Sequence, residues 1–137
     1  MTLPLQGIRV LDLTNVLAGP YCSMVLGDMG AEVIKVENTD KGDTSRNFEP
    51  QVNGESYCFA VLNRNKKSLA LDLKDPQGKK IALALAERAD IVLENFRPGV
   101  VKRMGLDYAS LAAIKPGIVL ANISSFGTRG PWASRPG

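Results

Sequence analysis

Five short apolar runs with helical stretches between them constrain the fold of this chain more than any other feature. Residues 8–13, 32–37, 68–73, 91–94 and 118–123 read as strands. Residues 20–29 read as a helix after the first strand, with Pro20 in the tolerated first turn and Gly30 as its stop. Asp75 and Pro76 read as the N-cap and first turn of a helix running through Glu87, with Ile81, Leu83, Ala84 and Leu85 in its apolar part. Residues 100–104 and 108–114 read as two short helices. Residues 38–55 read as polar loop, marked by Gly42, Pro50 and Gly54, and a Gly/Pro-rich tail begins at Ser124. This alternation predicts an α/β fold, a parallel sheet with helices on both faces. The 137 residues suffice for one domain with a core. They stop in mid-loop on Arg135-Pro136-Gly137, which points to a truncated domain.

The chain has no histidine. That removes histidine general bases, Ser-His-Asp triads and most zinc sites from what it can do alone. Its formal charge is +3, aromatics are 6%, and Lys and Arg are dispersed. This balance fits a small phosphorylated ligand better than a nucleic acid. No apolar run reaches membrane-spanning length. Residues 1–8 lack the basic start and apolar core of a signal peptide. Cys22 and Cys58 are too few for a disulfide framework and read as free thiols, which favours a reducing compartment, the cytoplasm.

In a parallel sheet of this kind ligands sit beyond the carboxyl ends of the strands. The residues there are 15–20, 37–38, Lys74, 94–97 and 124–130. Leu17-Ala18-Gly19-Pro20 leads into a helix N-terminus that can hold an anion, or is simply a tight turn, since only one glycine is present. Glu37 stands where a dinucleotide-binding fold keeps its ribose acid, but without a glycine fingerprint it reads as an exposed strand-end carboxylate. Asn38, Asp40, Lys41, Gly42 and Asp43 then make a solvated turn. Lys74 suits a phosphate as a point charge or is solvated surface. Arg64, Lys66 and Lys67 read mostly as a solvated run. Asn95 offers a donor and acceptors, Phe96 a face for a base or a core filler, and Arg97 and Arg103 offer guanidinium for phosphate. Ser124 and Ser125 lack a base and are poor nucleophile candidates.

Several motifs follow one another in order along the chain. They are Leu5-Gln6-Gly7-Ile8-Arg9-Val10-Leu11-Asp12, Leu17-Ala18-Gly19-Pro20 and the run from Leu26-Gly27-Asp28-Met29-Gly30 to Glu37. Gly42-Asp43-Thr44-Ser45-Arg46, Asn65-Lys66-Lys67-Ser68, Leu71-Asp72-Leu73-Lys74 and Glu94-Asn95-Phe96-Arg97-Pro98-Gly99 follow. Met104-Gly105-Leu106, Ser125-Phe126-Gly127 and Gly130-Pro131 to Gly137 complete the set. Together they resemble the family III CoA-transferases, the CaiB/BaiF-like group that includes formyl-CoA transferase, carnitine CoA-transferase and α-methylacyl-CoA racemase.

The resemblance implies that residues 1–137 are the incomplete N-terminal part of a large Rossmann-like, CoA-binding domain, with the small domain and C-terminal part absent. It implies an interlocked homodimer whose substrates are an acyl-CoA and a carboxylic acid, with no permanently bound cofactor, no metal, and neither nucleic acid nor membrane as partner. It carries CoA contacts onto Leu17, Ala18, Asn38, Leu71, Lys74, Asn95, Phe96, Arg103 and Met104. Ala18 falls near the pantetheine and thioester, Leu71 and Lys74 beside adenine and ribose phosphate. Position 17 is often Gln in formyl-CoA transferases and position 38 often Arg, so Leu17 and Asn38 speak against a strict formyl-CoA/oxalate enzyme. The catalytic aspartate is expected beyond Gly137, so the chain alone is expected to be inactive. Asp12, Asp28, Asp43 and Asp72 read as structural. The alternatives are an epimerase of the racemase branch, whose catalytic histidine follows the glycine matching Gly137, a truncated CoA-binding module, and a nicotinamide-binding domain, which the missing fingerprint disfavours.

Overall fold

A computed structural model describes residues 2–135. Met1 and the Pro136-Gly137 end of the last motif lie outside the described residues. Five strands form one parallel sheet: β1 (Arg9–Asp12), β2 (Glu32–Glu37), β5 (Lys66–Ala70), β6 (Ile91–Glu94) and β7 (Val119–Asn122). The two-residue strands β3 (Gln51–Val52) and β4 (Glu55–Ser56) form a separate hairpin. The sheet order is β5-β2-β1-β6-β7. The chain therefore builds outward from β1 in one direction, then returns to add β6 and β7 on the other side. A doubly wound sheet reverses in this way, and the crevice at the reversal lies here between β1 and β6.

Side-chain alternation sends the two faces of the sheet to different helices. Val10, Ala31, Val33 and Leu93 pack with Cys22 and Leu26 of α1 (Ala18–Asp28). Leu11, Leu13, Val36 and Val92 pack with Ala82 and Ala86 of α3 (Pro76–Arg88) and with Leu111 of α5 (Tyr108–Ile114). The expected parallel sheet with helices on both faces is thus the fold of this chain.

The stripe that docks α3 consists of small residues. Gly78, Ala82 and Ala86 are buried at four-residue spacing, whereas Ile81 is 47% exposed. A Cβ on Gly78 would come within 1.9 Å of the Asp72 carbonyl, so only glycine lets the helix approach this closely. Asp75 caps α3 by accepting from Gln77 N and Gly78 N, with Pro76 opening the first turn, as its sequence predicts.

The differences from the sequence reading have local causes. The 38–55 segment is more than loop: it holds a 3-10 turn (Thr44–Asn47) and the β3–β4 hairpin. A short helix, α2 (Tyr57–Leu62), follows, capped by Ser56. It has no fully buried residue, so no apolar period announces it. The third sheet strand is Lys66–Ala70 rather than 68–73, because Lys66 and Ser68 face buried acids that a hydrophobicity pattern does not show. α1 begins at Ala18 rather than at Pro20, which leaves Pro20 third in the helix and within its first turn, as expected. The short helix α4 (Val100–Met104) and α5 have the expected bounds. Among the described residues no helix is long and apolar enough to cross a membrane.

Beneath α1 the sheet carries a buried polar layer centred on Asp12, whose carboxylate accepts from Thr14 N, Thr14 Oγ1, Ser23 Oγ and Lys66 Nζ. Lys66 is not solvated; its side chain is 2% exposed and also donates to Pro20 O and Asn63 Oδ1. Lys67, by contrast, lies on the surface. Burial pulls the Lys66 ammonium down to about 8, with the Asp12 charge opposing. Removing one partner of such a pair strands the other. Lys66→Met is therefore expected to lower unfolding stability by about 3 kcal/mol in urea denaturation. Combining it with Asp12→Asn should recover part of that loss; strictly additive losses would show that the pair is not coupled.

Candidate functional site

The carboxyl ends of the strands open into two adjoining cavities. The first, about 210 Å³, lies over β1, β2 and β5 and is lined by Leu13, Asn15, Glu37, Asn38, Leu71, Leu73, Lys74, Phe96 and Met104. The second, about 450 Å³, lies over β1, β6 and β7 and is lined by Ala18, Asn95, Phe96, Arg97, Ile123 to Gly127 and Arg135. Phe96 lines both and is their common wall. A further groove of about 420 Å³ runs past Arg97, Arg103 and Arg135.

The folded chain therefore brings Asn38, Leu71, Lys74, Phe96 and Met104 to one cavity, and Ala18, Asn95 and Phe96 to its neighbour. Arg103 stands in the adjacent groove. Leu17 is 53% exposed and lines none of the three. Leu73, Ser124 and Arg135 also line these spaces, although the sequence reading did not select them as binding residues. Ser124 lay among the strand-end positions and Leu73 beside them, whereas Arg135, well beyond β7, had no such signal.

Asn95 has a structural task as well. Its Oδ1 accepts from Asn15 N at 2.9 Å and its Nδ2 donates to Asn15 O at 2.8 Å. This reciprocal clasp ties the loop after β6 to the loop after β1 across the crevice. One N–H and part of the carbonyl's accepting capacity remain for a ligand. Beside it, Glu94 is 1% exposed; its carboxylate accepts from Phe96 N at 2.9 Å and from Asn122 Nδ2. Burial pushes the Glu94 carboxyl up, with the Phe96 N–H working against it.

Glu37 is buried, contrary to its reading as an exposed carboxylate. It is 3% exposed and accepts from Arg46 Nε at 2.7 Å, Arg46 Nη2 at 2.8 Å, Ser68 Oγ at 2.7 Å and Asp43 N at 2.9 Å. Burial pushes its carboxyl up, but these donors outweigh burial and hold it at about 2. The Arg46 guanidinium also stacks 3.8 Å from the centre of the Phe59 ring. Nor is Asp43 part of a solvated turn. It is fully buried against Lys35 at 2.8 Å, while Asn38, Asp40 and Lys41 are exposed as expected. Burial pushes the Asp43 carboxyl up, and hydrogen bonds from Lys35 and Ser45 overcome it and hold it below its ordinary range. The expected structural roles of Asp12 and Asp43 follow from these contacts.

Gly19 permits the tight start of α1. A Cβ there would lie 2.2 Å from Thr14 Cβ. Among the described residues no group of His, Cys, Asp or Glu side chains is placed to hold a metal. The arrangement is one of carbonyls, amides, cations and an aromatic wall. Lys74 brings positive charge to the first cavity, Arg97 and Arg135 bring it to the second, and Phe96 offers an aromatic surface to both.

A model described as CoA-transferase family III matches residues 5–137. The chain is 49% identical over 135 residues to succinyl-CoA:glutarate CoA-transferase of Mus musculus, covering 98% of this chain and 31% of that protein. It is 44% identical over 133 residues to acetyl-CoA:oxalate CoA-transferase of Acetobacter aceti, covering 97% and 34% respectively. The crystal structure of a CaiB/BaiF family protein from Brucella suis superposes with a TM-score of 0.93 at 39% identity, covering all of this chain and 37% of that one. The chain thus spans about a third of the length of the curated relatives it matches.

The Glu37–Arg46 contact has a pH signature. The Glu37 pKa is depressed from 4.5 to about 2, so its contribution is complete above pH 4.5 and lost as pH falls through about 2. Arg46 is 42% exposed, which screens the pair. Arg46→Ala is expected to cost about 1–2 kcal/mol at pH 7, with the difference from wild type shrinking in denaturation series between pH 4.5 and 2.

Proposed function

The chain belongs to CoA-transferase family III, and from that premise we propose that the protein transfers coenzyme A between an acyl-CoA and a carboxylic acid. The observation that carries this reading is the pair of cavities at the strand ends with Phe96 between them. One is lined by Lys74, Asn38, Leu71, Phe96 and Met104, and its neighbour by Ala18 and Asn95. Coenzyme A is itself bipartite, a nucleotide joined to a pantetheine thiol.

In this reading Lys74 supplies positive charge to a ribose phosphate, Leu71 and Met104 pack on the adenine, and Arg103 meets phosphate in the adjoining groove. Phe96 separates the nucleotide space from the thioester space, and Ala18 borders the latter. The nucleophile is an aspartate carboxylate beyond Gly137. Its oxygen attacks the thioester carbonyl, breaking the C–S bond and releasing CoA thiolate with formation of a mixed anhydride. The thiolate then attacks the aspartyl carbonyl, releasing the first acid and leaving an aspartyl-CoA thioester. An incoming carboxylate reverses the sequence and leaves as the new acyl-CoA. The described residues take no proton in these steps, in keeping with the absence of histidine.

The same reading makes residues 1–137 the N-terminal part of the large domain, completed by a small domain and a C-terminal part, in an interlocked homodimer in the cytoplasm. The relatives' names make succinyl-CoA with glutarate the first donor and acceptor to test, followed by acetyl-CoA with oxalate. Thioester exchange by the intact protein, followed by chromatography of the acyl-CoA products, is the test. Exchange is expected from the intact protein and none from residues 1–137 alone. Lys74→Ala should raise KM for acyl-CoA about tenfold with kcat little changed, as loss of uniform binding does. Racemisation of an α-methylacyl-CoA without exchange would favour the epimerase instead.

A further inference from the structure

The turn that delivers Ala18 to the crevice is held in a conformation it would not adopt alone. Val16 has φ of +73°, in the left-handed region that a β-branched residue seldom enters. Such backbone persists only where the surroundings over-determine it.

Here they do so with buried charge. Val16 N–H donates to both carboxylate oxygens of Asp43, at 3.2 and 3.3 Å. Asp43 lies 27 residues away, beyond the end of β2, and is fully buried. Lys35 Nζ anchors it at 2.8 Å and also donates to Thr14 O at 2.7 Å. Ser45 N and Oγ bind Asp43 Oδ1 from the other side, at 2.9 and 2.7 Å. With the Asn95 clasp on Asn15, backbone groups of three consecutive residues are gripped by side chains from distant elements.

A tight connection alone would be met by glycine at position 16, which takes positive φ without steric cost. Valine there makes the turn depend on Asp43. The geometry points to Asp43 as a positioning residue for CoA transfer: anchored on Lys35, it holds Val16 left-handed and so sets where Ala18 stands at the thioester side of the crevice. This rests on the CoA-transfer reading. Asp43 is sealed from the cavities and acts only through Val16.

The test uses the intact protein and succinyl-CoA. Asp43→Asn is expected to lower kcat about 10- to 100-fold while KM for acyl-CoA moves less than about threefold, since nucleotide contacts are untouched and orientation is lost. Adding Val16→Gly to Asp43→Asn should return kcat to within about threefold of wild type, because glycine holds the turn without the clamp. Val16→Pro attacks from the loop side: it forces negative φ and removes the N–H while sparing the Lys35–Asp43 pair, and it should reproduce the kcat loss even if Asp43→Asn does not fold. Full kcat in Val16→Pro, or a kcat loss in Asp43→Asn that Val16→Gly leaves unrepaired, overturns the positioning role. An inactive wild type overturns the CoA-transfer reading instead, so the two failures are told apart by the unmutated protein.

Discussion

Lys35 and Asp43 meet at 2.8 Å with their side chains almost wholly removed from solvent. Placing two charges in such a site costs several kcal/mol for each ion before any contact is made. The contacts that offset it reach across the fold. Lys35 holds the end of β1 through Thr14 O, and Asp43 holds the following turn through Val16 N. Asp12 and Lys66 repeat the arrangement between β1 and β5, with Ser23 and Pro20 drawing α1 onto the same layer. Glu37 with Arg46 fastens the loop that follows β2. No buried side-chain nitrogen or oxygen among the described residues lacks a hydrogen-bond partner. A layer so fully satisfied admits few alternative arrangements, and specificity of loop placement is what it supplies.

That placement matters because the sheet reverses direction at β1 and β6. The reversal leaves a crevice beyond the strand ends, and side chains line it. Asn95 and Asn15 bridge it, Phe96 lies between the two cavities above it, and Asp43 and Lys35 hold the backbone of Val16 and Thr14 beside it. Apolar packing on the two faces of the sheet supplies cohesion. The polar layer decides where the cavity-lining residues stand.

Much of the fold was legible along the chain. β2 and β6 have the expected bounds because Val33, Ile34 and Val36 mark the one, Ile91 to Leu93 the other, and a glutamate closes each, and α3 begins at an Asp-Pro cap that needs no tertiary help. The strand-end positions of Asn38, Lys74, Asn95 and Phe96 followed from the alternation of elements alone. Less legible were groups whose partners are remote in sequence. Lys66 reads as one of a solvated basic run until Asp12, 54 residues earlier, is placed beside it. Glu37 reads as an exposed terminus until Arg46 and Ser68 close over it. α2 lacks a buried face, and the two-residue strands carry no period at all.

The sequence by itself determined the architecture and the family, because strand–helix alternation and collinear motifs are local or ordered properties that survive without coordinates. It also determined that no histidine chemistry resides in these residues. Tertiary structure alone decided which charges are buried, which strand-end residues share a cavity, and that Val16 is held left-handed by a carboxylate 27 residues away. The reason is physical: the energy of a charge or a strained turn depends on what surrounds it, and those surroundings come from segments far apart in the chain.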